Sequence, residues 1–193
     1  KNLAENIHRS APADNFIWPV ALTEEKFGSF GYVMKLRPKG YVDMSEFILL
    51  HARFKDVHAQ LNACLQICEA FQNLHLVGLS YQDMNDGNFF INPDTGDVLI
   101  CDNDNVAPDK TSMGVLGKAG YMAPEIIEGV AMPNRYTDYY SLAVCLFILI
   151  YMNRPFEGAW YASCPCDNTP EMAKTLFGFS SVFIMDPNNA KNR

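Results

Sequence analysis

From Asp56, the apolar residues Val57, Leu61, Cys64, Leu65, Cys68, Phe71 and Leu74 recur at three- and four-residue steps, and the pattern stops near Gly78. That spacing predicts an amphipathic helix of about five to six turns, packed on one face. A second run, Ser141 to Met152, is apolar on all sides and predicts a helix buried at the centre of a helical domain. These two segments are the long helices the sequence commits the chain to.

The first forty residues differ in character. Phe16–Leu22 and Phe30–Leu36 are aromatic and β-branched, separated by a polar turn with Gly28 and Ser29, and read as two strands. Arg37-Pro38-Lys39-Gly40 is a connector. Asp43 followed by Glu46 forms a capping-box-like start for a helix from Met44 to about Phe54. Phe89-Phe90-Ile91 and Val98-Leu99-Ile100-Cys101 flank Asn92-Pro93-Asp94-Thr95-Gly96-Asp97, which predicts a β-hairpin. Residues Ala107 to Gly120 read as a surface loop, and the order beyond Pro155 becomes irregular.

Composition narrows the function classes. The 193 residues carry 15 Lys+Arg against 22 Asp+Glu, a net charge of −7, with 49% hydrophobic and 19% charged residues. This is a globular mixture, and its acidic balance argues against a nucleic-acid-coating surface. The longest uncharged apolar run is too short to span a bilayer, so no membrane partner is expected. Six cysteines (Cys64, Cys68, Cys101, Cys145, Cys164 and Cys166) read as free thiols of a reducing, cytoplasmic compartment. Cys164-Pro165-Cys166 has no second pair to complete a zinc site. The chain starts at Lys1 without Met and ends without a closing helix, so it is expected to be a segment of a longer protein.

The chemistry concentrates in residues 79–105. A long helix delivers a loop bearing Asp83 and Asn88, five positions apart, and the hairpin returns to present Asp102. Two carboxylates and an amide oxygen then meet at one end of a small sheet. Mg²⁺ prefers such hard oxygen ligands and commonly shares them with substrate phosphates. A carboxylate free of metal accepts or steers a hydroxyl proton.

These residues resemble the C-terminal lobe of a protein kinase. Tyr81-Gln82-Asp83-(four)-Asn88 stands for the family's His-Arg-Asp-(four)-Asn loop, and Asp102-Asn103-Asp104 for Asp-Phe-Gly. Ala123-Pro124-Glu125 matches Ala-Pro-Glu, and Asp138 before Ser141-Leu142-Ala143-Val144 resembles the start of the central helix, whose Asp holds the catalytic loop by backbone hydrogen bonds. More narrowly, the Asp102–Val106 run and Val182–Pro187 look like a bacterial group of atypical kinase domains, some of which carry helix-hairpin-helix DNA-binding segments elsewhere. The resemblance implies an α+β, protein-kinase-like fold. Residues 1–36 would be the end of a β-rich N-lobe and 37–193 a mainly helical C-lobe, truncated at its C-terminus.

The resemblance also implies roles. Asp83 would orient the acceptor hydroxyl, Asn88 and Asp102 would ligate Mg²⁺, and Asp104 would add a ligand or serve as a turn residue. Met34 would be the gatekeeper, Lys35, Leu36 and Arg37 the hinge for adenine, and Phe90 part of the apolar stack under the adenine of ATP. Asp138 and Glu125 would be structural supports. Glu5 is a candidate for the helix glutamate, against the alternative of a solvated charge. The partners implied are ATP and a protein Ser/Thr substrate, with no nucleic acid bound by this segment.

Three departures bear on function. Gln82 replaces the arginine that grips a phosphorylated activation loop, so phosphorylation at Thr111 or Ser112 is not expected to be required. Asn85 replaces the lysine at the γ-phosphate, a charge that Lys118 is a candidate to supply. Asn103 removes the apolar plug of Asp-Phe-Gly. The competing readings are an active Ser/Thr protein kinase, a pseudokinase acting as a binding module, and a small-molecule kinase. The last lacks an Ala-Pro-Glu segment.

Overall fold

The computed structural model describes residues 2–112, 114, 117–165 and 169–193; Cys166 lies outside them. The elements run α1 (Asn2–His8), β1 (Pro19–Leu22), β2 (Tyr32–Met34), β3 (Val42–Asp43), α2 (Ser45–Ile48), α3 (Val57–Leu76), β4 (Leu79–Ser80), β5 (Phe89–Ile91), β6 (Val98–Ile100), β7 (Ala107–Pro108), α4 (Pro124–Ile127), α5 (Arg135–Tyr151), α6 (Ala159–Ser163) and α7 (Pro170–Phe177). The fold is α+β, and the described residues form three small antiparallel sheets: β1–β2 beside α1, β3–β5–β6 against α3, and β4–β7 against α3 and α5.

Helix α3 begins where the sequence places it because the Asp56 side chain accepts a bond from the Ala59 amide at 2.9 Å. It ends at Leu76, and the chain turns at Gly78, whose φ of +75° suits a residue without Cβ. Its buried stripe is the expected one only in part, since Cys64, Phe71 and Leu74 are buried but the stripe is shifted toward neighbouring positions. Ala59, Ala63, Ile67, Ala70, Phe71 and Leu74 face inward, while Val57, Leu61 and Leu65 are exposed. The hairpin turn packs closely on the helix at Ala59, since a Cβ on Gly96 would lie 1.9 Å from the Ala59 carbonyl oxygen.

Phe71 anchors the main core, with ring centroids 5.9 Å from Phe16, 5.5 Å from Tyr81 and 6.1 Å from Phe89. Each such buried aromatic contributes about 1.5–3 kcal/mol. Phe16 also pairs with Ile100, and the Ile17 amide donates to the Ile100 carbonyl at 2.8 Å, so residues 15–17 extend the β3–β5–β6 sheet.

Two expected elements are shorter or more exposed than the sequence suggests. The helix anticipated from Met44 is only four residues long. Asp43 spends its Oδ1 on the Ser45 amide (2.8 Å) and hydroxyl (2.5 Å), and Leu50 takes a φ of +59°, which ends the turn. Helix α5 is not buried on all sides, since Tyr139, Ala143, Ile150 and Tyr151 face outward. Beyond Pro155, where irregular chain is expected, α6 and α7 form. Thr169 caps α7, and Asn192 Oδ1 accepts from the Gly158 and Trp160 amides at 3.1 Å each to hold the start of α6. Cys64, Cys101 and Cys145 are buried free thiols, whereas Cys68 is exposed.

Candidate active site

The capping box at Asn134 and Thr137 fixes the first turn of α5, and with it Asp138. Asp138 is 2% exposed. Its Oδ2 accepts from the Tyr81 amide at 2.7 Å and meets His75 Nε2 at 2.9 Å, and its Oδ1 accepts from the Gln82 amide at 3.3 Å. The carboxylate thereby sets the entry of the loop at residues 81–88, where Gln82 adopts a φ of +70°. Asp138 thus stands as an acceptor for the backbone amides at the entry of the loop.

Inside the loop, the Asn88 amide nitrogen donates to the Asp83 carbonyl at 2.7 Å, and the Cys101 amide donates to the Asn88 carbonyl at 3.0 Å. The buried Tyr81 hydroxyl donates to the Cys101 carbonyl, one residue before Asp102. Asp102 stands in the left-handed region (φ 51°, ψ 49°), which a non-glycine residue occupies only when its surroundings hold it there. Asn103 is 1% exposed, and its amide donates to the carbonyls of Ile17 (2.9 Å) and Ile100 (3.1 Å). A polar tie between the two parts of the chain thus occupies the position where an apolar plug is missing.

Asp83, Asp102 and Asp104 are close enough to repel one another. Burial, followed by the charge of Asp104, raises the Asp83 carboxyl above its ordinary value, although the Asn85 amide opposes the shift. Burial, then Asp104 and Asp83, raises Asp102. Tyr32, on β2, is pushed to about 12 by burial and then by Asp104 and Asp102, which places its phenol beside the same cluster. Among the described residues, no three His, Cys, Asp or Glu side chains form a metal cage. An Mg²⁺ shared with phosphate oxygens needs fewer protein ligands, and the hard oxygens of Asn88, Asp102 and Asp104 fit such an ion.

The residues assigned to the nucleotide base lie together but are open. Met34 ends β2, Lys35, Leu36 and Arg37 are exposed, and Phe90 is half-buried on β5. The Arg37 guanidinium sits 4.1 Å from the centroid of the Phe90 ring, the side chain assigned to lie under adenine. Glu5 is exposed on α1, while its neighbour Asn6 is buried and donates to the Val106 carbonyl at 2.8 Å. Glu125 is half-buried and makes no ion pair among the described residues. Gln82 Nε2 donates to the Thr111 carbonyl at 2.7 Å, so it holds backbone where an arginine would hold a phosphate.

One group of residues escapes sequence reasoning. Lys118 Nζ does not reach toward Asn85 but binds Asp86 Oδ1 at 2.9 Å, and Arg154 Nη2 binds Asp86 Oδ2 at 2.5 Å. Arg154 Nη1 also donates to the Tyr121 hydroxyl at 2.9 Å. Arg154 lies 68 positions from Asp86, beyond the range of any local pattern. The only hint was a charge, at Arg154-Pro155, directly after the buried helix.

Comparison with known proteins identifies the family. The model of the protein kinase domain family matches residues 28–180. Among curated proteins, the chain is 28% identical over 137 residues to the probable serine/threonine-protein kinase PknB of Corynebacterium glutamicum, covering 67% of this chain and 21% of that protein. It is 33% identical over 134 residues to the serine/threonine-protein kinase ksp1 of Schizosaccharomyces pombe, covering 65% of this chain and 27% of that protein. The chain thus spans between a fifth and just over a quarter of the length of these relatives. With a family match over most of its residues and an α+β fold built around one carboxylate-bearing loop, the chain belongs to the protein kinase domain family.

Proposed function

We propose that this chain carries the phosphotransfer site of a serine/threonine protein kinase, moving the γ-phosphoryl group of ATP to a protein hydroxyl. The observation that carries this reading is the set Asp83, Asn88 and Asp102, tied together through Tyr81, Cys101 and the Asp138 carboxylate. Mg²⁺ and ATP, when bound, supply charge neutralisation and the transferable group. Asn88 commits its amide nitrogen to the Asp83 carbonyl, which leaves its oxygen as the ligand atom beside Asp102 and Asp104. Asp83 orients the acceptor hydroxyl and takes its proton as the new P–O bond forms and the bond to the ADP oxygen breaks. Met34 and Lys35–Arg37 line the base, with Phe90 beneath it. The setting would be the cytoplasm.

A second reading, a pseudokinase serving as a binding module, draws on two contacts. Arg37 covers Phe90 at 4.1 Å, and Lys118 is engaged by Asp86 rather than aimed at Asn85. Transfer of labelled phosphate from ATP to generic protein substrates, measured for the full-length protein, separates the two. Asp83→Ala and Asp102→Ala are each expected to reduce transfer by about 10²–10⁴-fold. Equal labelling in all three proteins excludes the catalytic reading.

A further inference from the structure

We propose that Asp86 is a positioning residue: its buried carboxylate, gripped by Lys118 and Arg154, latches residues 117–123 against the loop that carries Asp83. The Asp86 side chain is 7% exposed, and each of its oxygens is bound by a different cation, at 2.9 Å and 2.5 Å. The two cations come from separate stretches of chain, one before α4 and one after α5. A single carboxylate therefore joins three segments. Hydrogen bonds between ionised groups are stronger than neutral ones, and removing one partner of a buried pair leaves a charge that water cannot reach.

Tyr121 completes the latch. It is fully buried, its hydroxyl accepts from Arg154 at 2.9 Å, and both the Arg154 guanidinium (5.4 Å) and the Lys118 ammonium (5.5 Å) face its ring. The Tyr121 amide returns to the Lys118 carbonyl at 2.9 Å, closing a turn. Arg154 is itself steadied by Glu157, with Nε 3.6 Å from Oε2.

The latch bears on the site because the segment it holds passes against Asp83. A Cβ placed on Gly117, whose φ is +66°, would lie 3.5 Å from Asp83 Oδ1 and 3.4 Å from the Gln82 carbonyl. The chain at Gly117 thus forms one wall beside the Asp83 carboxylate. Displacing it would open that wall without touching Asp83 itself. With Gln82 holding the Thr111 carbonyl upstream, the segment is placed by groups already present in the chain, without an added phosphate.

The purpose assigned to the latch rests on the phosphotransfer reading, but its existence does not. Hydrogen exchange of the intact protein, followed by mass spectrometry, tests it at residues 117–123 with residues 142–149 of α5 as internal reference. Asp86→Asn is expected to speed exchange of 117–123 about tenfold with the reference unchanged. Lys118→Gln, at an exposed ammonium that leaves the core intact, is expected to speed it less and decides the matter where Asp86→Asn also loosens the reference. Wild-type exchange at 117–123 in both variants overturns the latch. Where phosphate transfer is measured, Asp86→Asn should lower kcat about tenfold while KM for ATP holds. Lost transfer with an unloosened segment also overturns the latch. Loosening in a protein that transfers no phosphate supports the latch and removes only the catalytic reading.

Discussion

Asp86 and Asp138 are buried, and each has donors on both of its oxygens. Asp83, Asp102 and Asp104 face one another across a partly open site, with the Asn85 amide at 3.4 Å from Asp83 as a weak counterweight. Burial works to raise Asp86 as well, yet Lys118 and Arg154 hold its carboxyl below the ordinary value, whereas Asp83 and Asp102 rise above theirs. The same side chain, within one short stretch of sequence, is in one place a structural joint and in the other an unanswered charge. A joint should cost stability when removed. An unanswered charge should cost function when removed and return a little stability, because the fold holds it at a penalty until a cation or a proton neutralises it.

Asp138→Ala gives the largest expected effect on stability. It strips partners from His75 and from the Tyr81 and Gln82 amides together, and should lower unfolding stability by about 3–5 kcal/mol in a urea titration. A loss below about 1 kcal/mol would remove Asp138 from the structural class.

Asp102→Asn should move the other way. Without Mg²⁺ it relieves repulsion by Asp83 and Asp104 and should raise unfolding stability by less than about 1 kcal/mol, seen as a slight rise in Tm, because water and salt screen a site this open. A clear drop in Tm would place Asp102 with the joints. Acid should separate the groups in the same sense. Asp83 and Asp102 have raised folded-state values, so their penalty, present at neutral pH, lifts as pH falls through those values. Asp86 has a depressed one, so its contribution persists until pH falls below the ordinary carboxylate range and is then lost. Metal-free protein should therefore hold or gain stability on first acidification before it fails, and a decline that starts at neutrality would contradict the assignment.

The smallest effect is expected at the segment exposed beside Gln82. Thr111→Ala with Ser112→Ala should leave phosphate transfer within about twofold, since Gln82 binds the Thr111 backbone carbonyl rather than a side chain. A tenfold loss would show that this part of the chain is switched by its hydroxyls.

How far the chain was legible follows the reach of each interaction. Helix α3 was readable at both ends because its signals, Asp56 and Gly78, are local, and so was the hairpin around Gly96. The buried face of α3 was legible only at Cys64, Phe71 and Leu74, because burial of Ala59, Ala63 and Ala70 depends on what packs against the helix from distant parts of the chain. The four-residue length of α2 was hidden by the competition of Ser45 for Asp43. The placement of Asp83 and Asn88 on one loop, with Asp102 directly after the hairpin, was legible through spacing and order. The joint at Asp86 was not, since its cations lie 32 and 68 positions away and neither forms a pattern with it. Asn103 read as a missing plug, and only its bonds to Ile17 and Ile100 reveal a polar tie in its place.

The central claim, that the carboxylates of Asp102 and Asp104 are kept for a cation shared with a nucleotide, is tested most directly by Tm with ATP in the presence and absence of Mg²⁺. Mg²⁺ with ATP at a hundred times its Kd should stabilise the protein by about 2.7 kcal/mol, and this gain should vanish with EDTA or in Asp102→Asn. An equal shift in all three conditions, or none in the first, would contradict it.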